Sequence, residues 1–227
     1  RIEACRGRGG RIVAVGTTGE SPALTWDEHN RVIEMVAGLC RGRCLTVAGT
    51  GSNNTQEALE ATAHAHQAGA EAVLLVDPYY NGPSSLEIRR EYIEPIARRF
   101  PEVDIIPYVI PGRTGTQLLP EDLALAARRC PNDSTVKEAT GNLDNMRRTR
   151  ACCGPAFTIL SGDDGLTYDM MTDPAIAAAG VISVVSNVAP GAVVQLVQCL
   201  RARDLAGADR WRRALDPLFL LVTVTTT

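Results

Sequence analysis

The fold of this chain is constrained most strongly by a regular alternation of short apolar runs, rich in β-branched residues, with amphipathic stretches. Seven apolar runs occur, and their starts lie about 23 to 33 residues apart, the spacing of successive strand–helix units in a parallel sheet. The predicted strands are residues 11–16, 44–48, 72–77, 104–109, 134–138, 157–161 and 180–186. They are apolar almost throughout, as expected of strands that are buried on both faces.

The amphipathic stretches predict helices at residues 28–39, 55–68 and 119–129. Seven strand–helix units favour a (β/α)8 TIM barrel. A doubly wound sheet is the alternative, but it would place G-x-G-x-x-G after the first strand, where this chain has Gly-Thr-Thr-Gly-Glu at residues 16–20. We expect residues 1–190 to form the barrel, beginning in a helix, and residues 191–227 to form a barrel-closing helix and the start of a C-terminal helical segment.

Composition excludes several classes of function. The net charge of −3 argues against non-specific nucleic-acid binding. No apolar run is long enough to span a membrane, and the first residues lack the apolar centre of a signal peptide. Seven cysteines without a C-x-x-C pair predict reduced thiols rather than disulfides or zinc, so a cytoplasmic location is expected.

Polar, glycine-rich segments follow the predicted strands. In a parallel barrel the working residues gather where strands end and loops begin. The segments in question are residues 16–21, 49–54, 77–81, 108–114, 137–141 and 161–164. We therefore expect the functional site at this end of the barrel.

Lys137 is the only lysine among the 23 basic residues of the chain, and it lies inside the predicted fifth strand. Burial in a barrel would lower its pKa and expose a nucleophilic amine, which is what Schiff-base formation with a ketone requires. Arginine cannot lose its proton in this way. The alternatives are a solvated lysine paired with Glu138, and an arginine bias that reflects only GC-rich coding.

Four further residues suit the same chemistry. Tyr108 lies one strand before Lys137, where a phenol can relay a proton, although a core tyrosine is the simpler interpretation. Thr17 and Thr18 lie in a glycine-flanked turn that suits a small carboxylate or that serves only as a turn. Arg113 follows the fourth strand and could bind a carboxylate through both of its terminal nitrogens.

Asp163 and Asp164 follow the sixth predicted strand and could suggest a divalent cation. No third carboxylate stands at a metal-ligand spacing from them. We therefore predict that they cap the loop and that the site holds no metal.

The six polar segments, in this order and spacing, resemble the 4-hydroxy-tetrahydrodipicolinate synthase (dihydrodipicolinate synthase) family of pyruvate-dependent class I aldolases over residues 11–190. The resemblance implies a TIM barrel that here lacks its first strand and part of its C-terminal helical region. It also implies a lyase of lysine and diaminopimelate biosynthesis that condenses pyruvate with L-aspartate-4-semialdehyde. No metal or organic cofactor is implied.

The resemblance also implies roles for individual residues. Lys137 would form the Schiff base with pyruvate, and Tyr108 would move protons together with Thr17 and Tyr80. Tyr80 would reach into a neighbouring subunit's site, which implies a homo-oligomer, either a dimer or a tetramer. The implied substrate-binding residues are Thr18 for the pyruvate carboxylate, Arg113 for the carboxylate of the semialdehyde, and Gly162 and the carbonyl of Ile182 for the pocket wall.

A feedback site for L-lysine is implied as well. Its residues would be Ser21, Pro22, Trp26, His29, Asn53, Glu57 and Tyr79. Trp26 resembles the plant-type version of this site. The alternative for Trp26 and His29 is a helix start that packs at a subunit interface.

Three residues depart from the family's usual pattern. Val109 replaces the usual Asn after Tyr108, and Asp77 replaces the commoner Thr before the Pro-Tyr-Tyr run. Pro107 removes a ladder N–H from what should be a central strand, so Tyr108 is expected to shift.

Two alternative functions stay open at this point. Another pyruvate-dependent aldolase, such as N-acetylneuraminate lyase or an aldolase for 2-keto-3-deoxy sugar acids, would share the lysine and the tyrosine. Arg113 and the tandem Tyr79 and Tyr80 favour the synthase. A catalytically inactive paralogue or fragment that acts as a binding module is the second alternative.

Overall fold

The computed structural model describes residues 10–223, and within them the strands form one parallel sheet. The strands are β1 (Arg11–Ala14), β2 (Leu45–Gly49), β3 (Ala72–Val76), β4 (Asp104–Val109), β5 (Thr135–Glu138), β6 (Thr158–Ser161) and β7 (Gly180–Val181). Each strand pairs with the next in chain order, from β1 to β7. The prediction of repeated strand–helix units in a parallel, barrel-like sheet is confirmed. The helix expected at the start of the chain, the signal-peptide prediction and Cys5 lie outside the described residues.

Helices follow most of the strands and cover the outer face of the sheet. They are α1 (Trp26–Cys40), α2 (Thr55–Ala68), α3 (Ser85–Glu87, π-helical Ile88–Ile93 and Glu94–Arg99), α4 (Pro120–Arg129), α5 (Leu143–Cys153), α6 (Thr167–Thr172), α7 (Pro190–Arg201) and α8 (Leu205–Thr223). The three helices predicted from the sequence correspond to α1, α2 and α4.

Local sequence signals explain where these helices begin. Thr25 caps α1 in a capping box, because its side chain accepts the Glu28 N–H while the Glu28 carboxylate accepts the Thr25 N–H. Asn54 caps α2 by accepting the Gln56 N–H at 2.9 Å. Such caps fix the chain direction directly after the polar strand ends, where the functional site was expected.

Two apolar clusters lie on opposite faces of the sheet. The larger one fills the space between the strands and the helices. The smaller, inner cluster lies inside the curled sheet and contains Val47, Ala72, Leu74, Val76, Ile106 and Tyr108. Side chains along a strand point alternately to the two faces of the sheet, so each strand contributes to both clusters. A separate cluster joins α7 to α8.

The strand register aligns the residues on which the chemistry depends. Val76 pairs with Tyr108, Tyr108 with Lys137, and Lys137 with Leu160. Pro107 stays within β4 and pairs with Leu75, and Tyr108 keeps the regular register of the strand. Tyr108 and Lys137 are therefore nearest neighbours across two parallel strands.

Two strands are shorter than predicted by two residues or more. Instead of extending over residues 180–186, β7 has two residues, because the N–H groups of Val184 and Val185 turn to the carboxylate of Asp164 at 2.8 and 3.0 Å. β1 ends at Ala14 because Val15 has a φ of 48°, a conformation that β-branched residues avoid.

The six cysteines within residues 10–223 form no disulfide with one another. None of the helices in this part of the chain combines the length and the apolar character needed to cross a bilayer.

Candidate active site

Lys137 projects from β5 into the interior of the curled sheet, and only 5% of its surface is exposed. Its Nζ lies 3.8 Å from the centroid of the Tyr108 ring. Glu138, the partner in the alternative interpretation, faces the other way and accepts hydrogen bonds from the Thr140 N–H and the Asn145 side-chain amide. The lysine is therefore a desolvated amine and not a solvated ion-pair partner of Glu138.

The electrostatic surroundings of Lys137 favour the neutral amine. Burial lowers its pKa to about 8, opposed by the charge of Asp164 and reinforced by that of Arg113. The aromatic ring of Tyr108 attracts the ammonium form and so acts in the opposite direction to burial. With a pKa near 8, a useful fraction of the amine is unprotonated at neutral pH.

Tyr108 has 2% of its surface exposed, and burial raises the pKa of its phenol to about 12. Arg113 lowers this pKa and Asp163 raises it, so both charges lie near the hydroxyl group. The phenol therefore stays protonated at physiological pH. A protonated phenol beside a neutral amine is suited to donate a proton to a carbinolamine oxygen.

Gly162 forms the wall beside the Lys137 side chain. A Cβ built at Gly162 would lie 3.1 Å from Lys137 Cε and 2.7 Å from Ala139 Cβ, so a larger residue would press on the amine. The Gly162 N–H donates to the carbonyl of Glu138 at 2.7 Å. Ile182 packs against the inner cluster, and its N–H donates to the carbonyl of Ser161 at 2.9 Å. Both predicted pocket residues thus lie close to β5 and β6.

The turn after β1 brings Thr17 close to Tyr108. A single 3₁₀ turn spans Thr17–Gly19 and follows the strained Val15. Gly49 permits this approach, because a Cβ there would lie 2.4 Å from the Val15 carbonyl oxygen. Strain of this kind is common at functional sites. Thr17 and Tyr108 line a small cavity of about 10 Å³, whereas Thr18 is half-buried and lines neither this cavity nor the larger one next to it.

A larger cavity of about 540 Å³ opens beside the small one and shares Thr17 with it. Six of the seven residues predicted for the lysine site line this cavity: Ser21, Pro22, Trp26, His29, Glu57 and Tyr79. The seventh, Asn53, is exposed and does not line it. Within the cavity wall, Trp26 and His29 pack edge to face with ring centroids 5.0 Å apart. The His29 Nε2 bonds to the carbonyl oxygen of Gly49 at 2.9 Å.

Arg113 and Tyr80 reach the surface in different ways. Arg113 lies on a single helical turn, Pro111–Thr114, and its exposed side chain lines the larger cavity. Tyr80 is 88% exposed with a φ of 81°, so its ring lies in solvent in the single chain. The structure therefore brings together Lys137, Tyr108, Thr17 and Arg113, but not Tyr80.

Asp163 and Asp164 cap loops, as predicted. The Asp163 carboxylate accepts the N–H groups of Gly165 and Leu166 at 2.8 and 3.3 Å. The Asp164 carboxylate holds the turn after β7. Among residues 10–223, no group of three His, Cys, Asp or Glu side chains is arranged to bind a metal ion.

Sequence reasoning missed a tyrosine that joins two strand ends. The Tyr92 hydroxyl donates to the Val76 carbonyl and accepts the Ser52 N–H, both at 3.1 Å. A Cβ at Gly51 would lie 3.1 Å from this oxygen. The apolar periodicity of α3 signals only that Tyr92 is buried. The clustered glycines at 49 and 51 are the one signal that a side chain and a backbone approach closely there.

Fold and site together define a class of protein: a parallel α/β enzyme with a buried, easily deprotonated lysine near the carboxyl end of a central strand. The model of the dihydrodipicolinate synthetase family matches residues 7–227. A 4-hydroxy-tetrahydrodipicolinate synthase of Syntrophus aciditrophicus is 43% identical over 213 residues, which cover 92% of this chain and 71% of that protein. This chain belongs to the dihydrodipicolinate synthetase family.

Solved structures agree with this assignment. The dihydrodipicolinate synthase from Aquifex aeolicus matches with a TM-score of 0.92 and 38% identity, covering 99% of this chain and 75% of that one. A chloride-inhibited Acinetobacter baumannii enzyme complexed with pyruvate matches at 0.89, with 34% identity over 96% of this chain and 73% of that one. A Cyanidioschyzon merolae enzyme with lysine bound also matches at 0.89, with 34% identity over 100% and 76%. None of these relatives is named as a sugar-acid aldolase.

Proposed function

We propose that this chain is a lyase that condenses pyruvate with L-aspartate-4-semialdehyde to give 4-hydroxy-tetrahydrodipicolinate and water. The observation that carries the proposal is the desolvated Lys137 amine beside the Tyr108 phenol, in a chain whose relatives are named as this synthase. The Acinetobacter baumannii enzyme, complexed with pyruvate, supports pyruvate as the first substrate. Such a reaction belongs to lysine and diaminopimelate biosynthesis.

In the proposed first step the neutral Lys137 amine attacks the ketone carbon of pyruvate. The carbinolamine loses water, with Tyr108 and Thr17 moving the protons, and the imine forms. Loss of a proton from the methyl group gives an enamine, whose carbon attacks the aldehyde of the second substrate. The amino group of that substrate then attacks the imine carbon, closes the ring and releases Lys137. All of these steps use side chains and substrates, without a metal or an organic cofactor.

The other predicted residues are assigned to the wall of the pocket and to the two substrate carboxylates. Gly162 and Ile182 lie close to Lys137 and suit the wall of the pyruvate pocket. Thr18 is assigned to the pyruvate carboxylate through its turn. Arg113 is assigned to the carboxylate of the semialdehyde, because its guanidinium faces the larger cavity near Tyr108.

We propose that the active form is a homo-oligomer, a dimer or a tetramer. The exposure of Tyr80 supports this, since a phenol that is 88% exposed is free to enter a second subunit's site. We also propose that the seven strands correspond to all but the first strand of the family's TIM barrel. The first strand and the rest of the C-terminal helical region would then lie outside residues 10–223.

The pH dependence of imine formation is expected to follow the Lys137 amine. Its pKa is lowered to about 8, so the neutral fraction and the rate should rise about tenfold per pH unit below pH 8 and level off above it. The Tyr108 phenol, with a pKa near 12, stays protonated throughout this range. The check is kcat/KM for pyruvate between pH 6 and 9.5. If kcat/KM instead kept rising with pH towards the ordinary lysine pKa, without levelling off above pH 8, the result would contradict the proposed desolvation of Lys137.

We propose that the larger cavity binds L-lysine as an inhibitor, since six of the predicted residues line it and the Cyanidioschyzon merolae enzyme has lysine bound. The Glu57 carboxylate, which accepts the Ser52 hydroxyl at 2.6 Å, would bind an ammonium group.

Added L-lysine is expected to lower activity, and Glu57→Gln to weaken that inhibition at least about tenfold by removing a charged partner. Glu60→Gln, one turn further along α2 and exposed, should leave the inhibition curve unchanged. A flat activity curve up to millimolar L-lysine would refute this assignment.

The substrate assignment is tested by comparing two reactions. Pyruvate with L-aspartate-4-semialdehyde should give steady turnover, and pyruvate with N-acetylmannosamine should give little. The opposite preference would move the chain to the sugar-acid aldolases. No turnover in either reaction, together with no imine on Lys137, would support the inactive binding module instead.

A further inference from the structure

A buried carboxyl group lies on the outer side of the sheet, opposite the inner side on which Tyr108 and Lys137 lie. Asp77 follows β3 and has no exposed surface. Its backbone N–H donates to the Tyr108 carbonyl at 3.1 Å, which continues the pairing of β3 with β4. Because Val76 packs in the inner cluster, the next residue along the chain faces the outer side of the sheet. Asp77 is therefore separated from the reacting groups by the sheet itself.

The Asp77 carboxyl group has one protein partner. Its Oδ2 accepts the Leu118 N–H at 2.9 Å, and its Oδ1 has no hydrogen-bond partner in the described part of the chain. Burial raises its pKa to about 8; the Leu118 N–H lowers it and the nearby Glu138 raises it. At neutral pH the group is therefore largely protonated. A neutral carboxyl with one accepting oxygen resembles a carboxamide in shape and hydrogen bonding.

Leu118 belongs to the segment that follows the Arg113 turn. Hydrogen bonds within that turn hold it together, since the single Thr114 hydroxyl proton is shared between the carbonyl oxygens of Ile110 and Thr116, at 3.2 and 2.8 Å from the hydroxyl oxygen. The Gly115 N–H also donates to the Pro111 carbonyl at 3.0 Å. The turn is therefore expected to move as one unit, and its position depends on what holds its two ends.

One end of this unit continues directly from β4, and the other is held at residues 116–119. The Thr116 hydroxyl donates to the Pro83 carbonyl. The Leu118 N–H is bound by Asp77, and the Leu119 N–H donates to the Ser85 hydroxyl at 2.8 Å. The Gln117 side chain donates to Asn145 at 3.0 Å, and Asn145 donates in turn to Glu138 at 3.0 Å. Of these tethers, the Asp77 contact is the one that is fully buried and bound to the strand end beside Tyr108.

We propose that Asp77 is a positioning residue that fixes the Arg113 turn over the larger cavity by holding the Leu118 backbone. The proposal rests on the proposed function, in which Arg113 binds the carboxylate of the second substrate. Without Asp77, the Leu118 N–H would lose its partner and the turn would be free to shift. A shift of about 1 Å in a substrate-binding group can lower the rate a hundredfold. Steps that involve only pyruvate and Lys137 would not depend on this contact.

The test separates the two substrates. Asp77→Ala is expected to raise KM for L-aspartate-4-semialdehyde about tenfold, while KM for pyruvate and the fraction of Lys137 trapped by borohydride with pyruvate change less than about twofold. Asp77→Asn keeps the accepting oxygen and should restore KM for the aldehyde to within about twofold of the parent. If Asp77→Ala does not fold, Asp77→Leu supplies the same test, because it fills the space but offers no acceptor.

Asp133→Ala is the matched control. Asp133 is another fully buried carboxyl, and its oxygens have no hydrogen-bond partner among residues 10–223. It precedes β5, at the end of the sheet away from the Arg113 turn. Its removal should change thermal stability without a selective rise in KM for the aldehyde. In the Arg113→Ala background, adding Asp77→Ala should cause no further loss, because both act through one interaction.

The positioning role would be overturned by any of three results. KM could rise equally for both substrates in Asp77→Ala, or the losses of Asp77→Ala and Arg113→Ala could add in the double variant. The third result is a selective rise in KM for the aldehyde in Asp133→Ala. Failure of the parent enzyme to form the pyruvate imine is a separate result, since it would refute the proposed function itself.

Discussion

Replacing Lys137 by Arg is expected to lower kcat by about three orders of magnitude or more, because a guanidinium keeps its proton and cannot attack a ketone. An amine with a pKa of about 8 is still mostly protonated at pH 7, so arginine keeps the charge of the resting site and the loss would report the missing nucleophile. The measurement is steady-state turnover of pyruvate with L-aspartate-4-semialdehyde, together with the unfolding temperature.

Lys137→Met controls for the size of the arginine side chain. Methionine has a length similar to that of lysine, tolerates burial and should leave the fold intact, but it has no amine. Both variants should be equally inactive. Turnover by either one above about 10% of the parent value would mean that covalent catalysis by this residue is not required.

Tyr108→Phe is expected to lower kcat about a hundredfold or more, which is the range for losing a positioned proton donor. The ring remains, so the packing of the Lys137 Nζ at 3.8 Å from its centroid should persist. KM for pyruvate should change much less than kcat. The loss would therefore report proton transfer by the hydroxyl group, whose pKa is raised to about 12.

Tyr92→Phe is the matched control for this change. Tyr92 is also fully buried, but its hydroxyl bonds to the Val76 carbonyl and the Ser52 N–H. Removing that hydroxyl should destabilise the fold by about 1 to 3 kcal/mol, because a buried N–H and a carbonyl lose their partner. If Tyr108→Phe shows only such a stability loss with kcat intact, Tyr108 is a core tyrosine, as in the simpler interpretation.

Much of the fold follows from sequence periodicity. The strands β2 to β6 were predicted to within one residue at each end, because buried parallel strands are continuous apolar runs and polar, glycine-rich segments mark where they stop. The same pattern placed Tyr108 and Lys137 on adjacent strands. Their direct pairing and common burial needed the register, which no local pattern specifies.

The features that the sequence pattern did not predict correctly share a physical cause: they depend on contacts between residues that are distant in sequence. The run after Gly180 reads as a long strand, but the carboxylate of Asp164 draws Val184 and Val185 into a turn. Pro107 is unfavourable by local rules and yet stays in β4, where tertiary pairing decides its place. Asp77 was read only as an unusual residue, since nothing in the sequence indicates that it holds Leu118.

The central claim is that Lys137 forms a covalent imine with pyruvate, and trapping that imine tests it most directly. The intact protein is incubated with pyruvate and sodium borohydride, digested and mapped by mass spectrometry, with a sample lacking pyruvate as the control. We expect a mass increase equal to one reduced pyruvate imine, on the peptide that contains Lys137. An unmodified Lys137 peptide under conditions where the enzyme turns over would contradict the account.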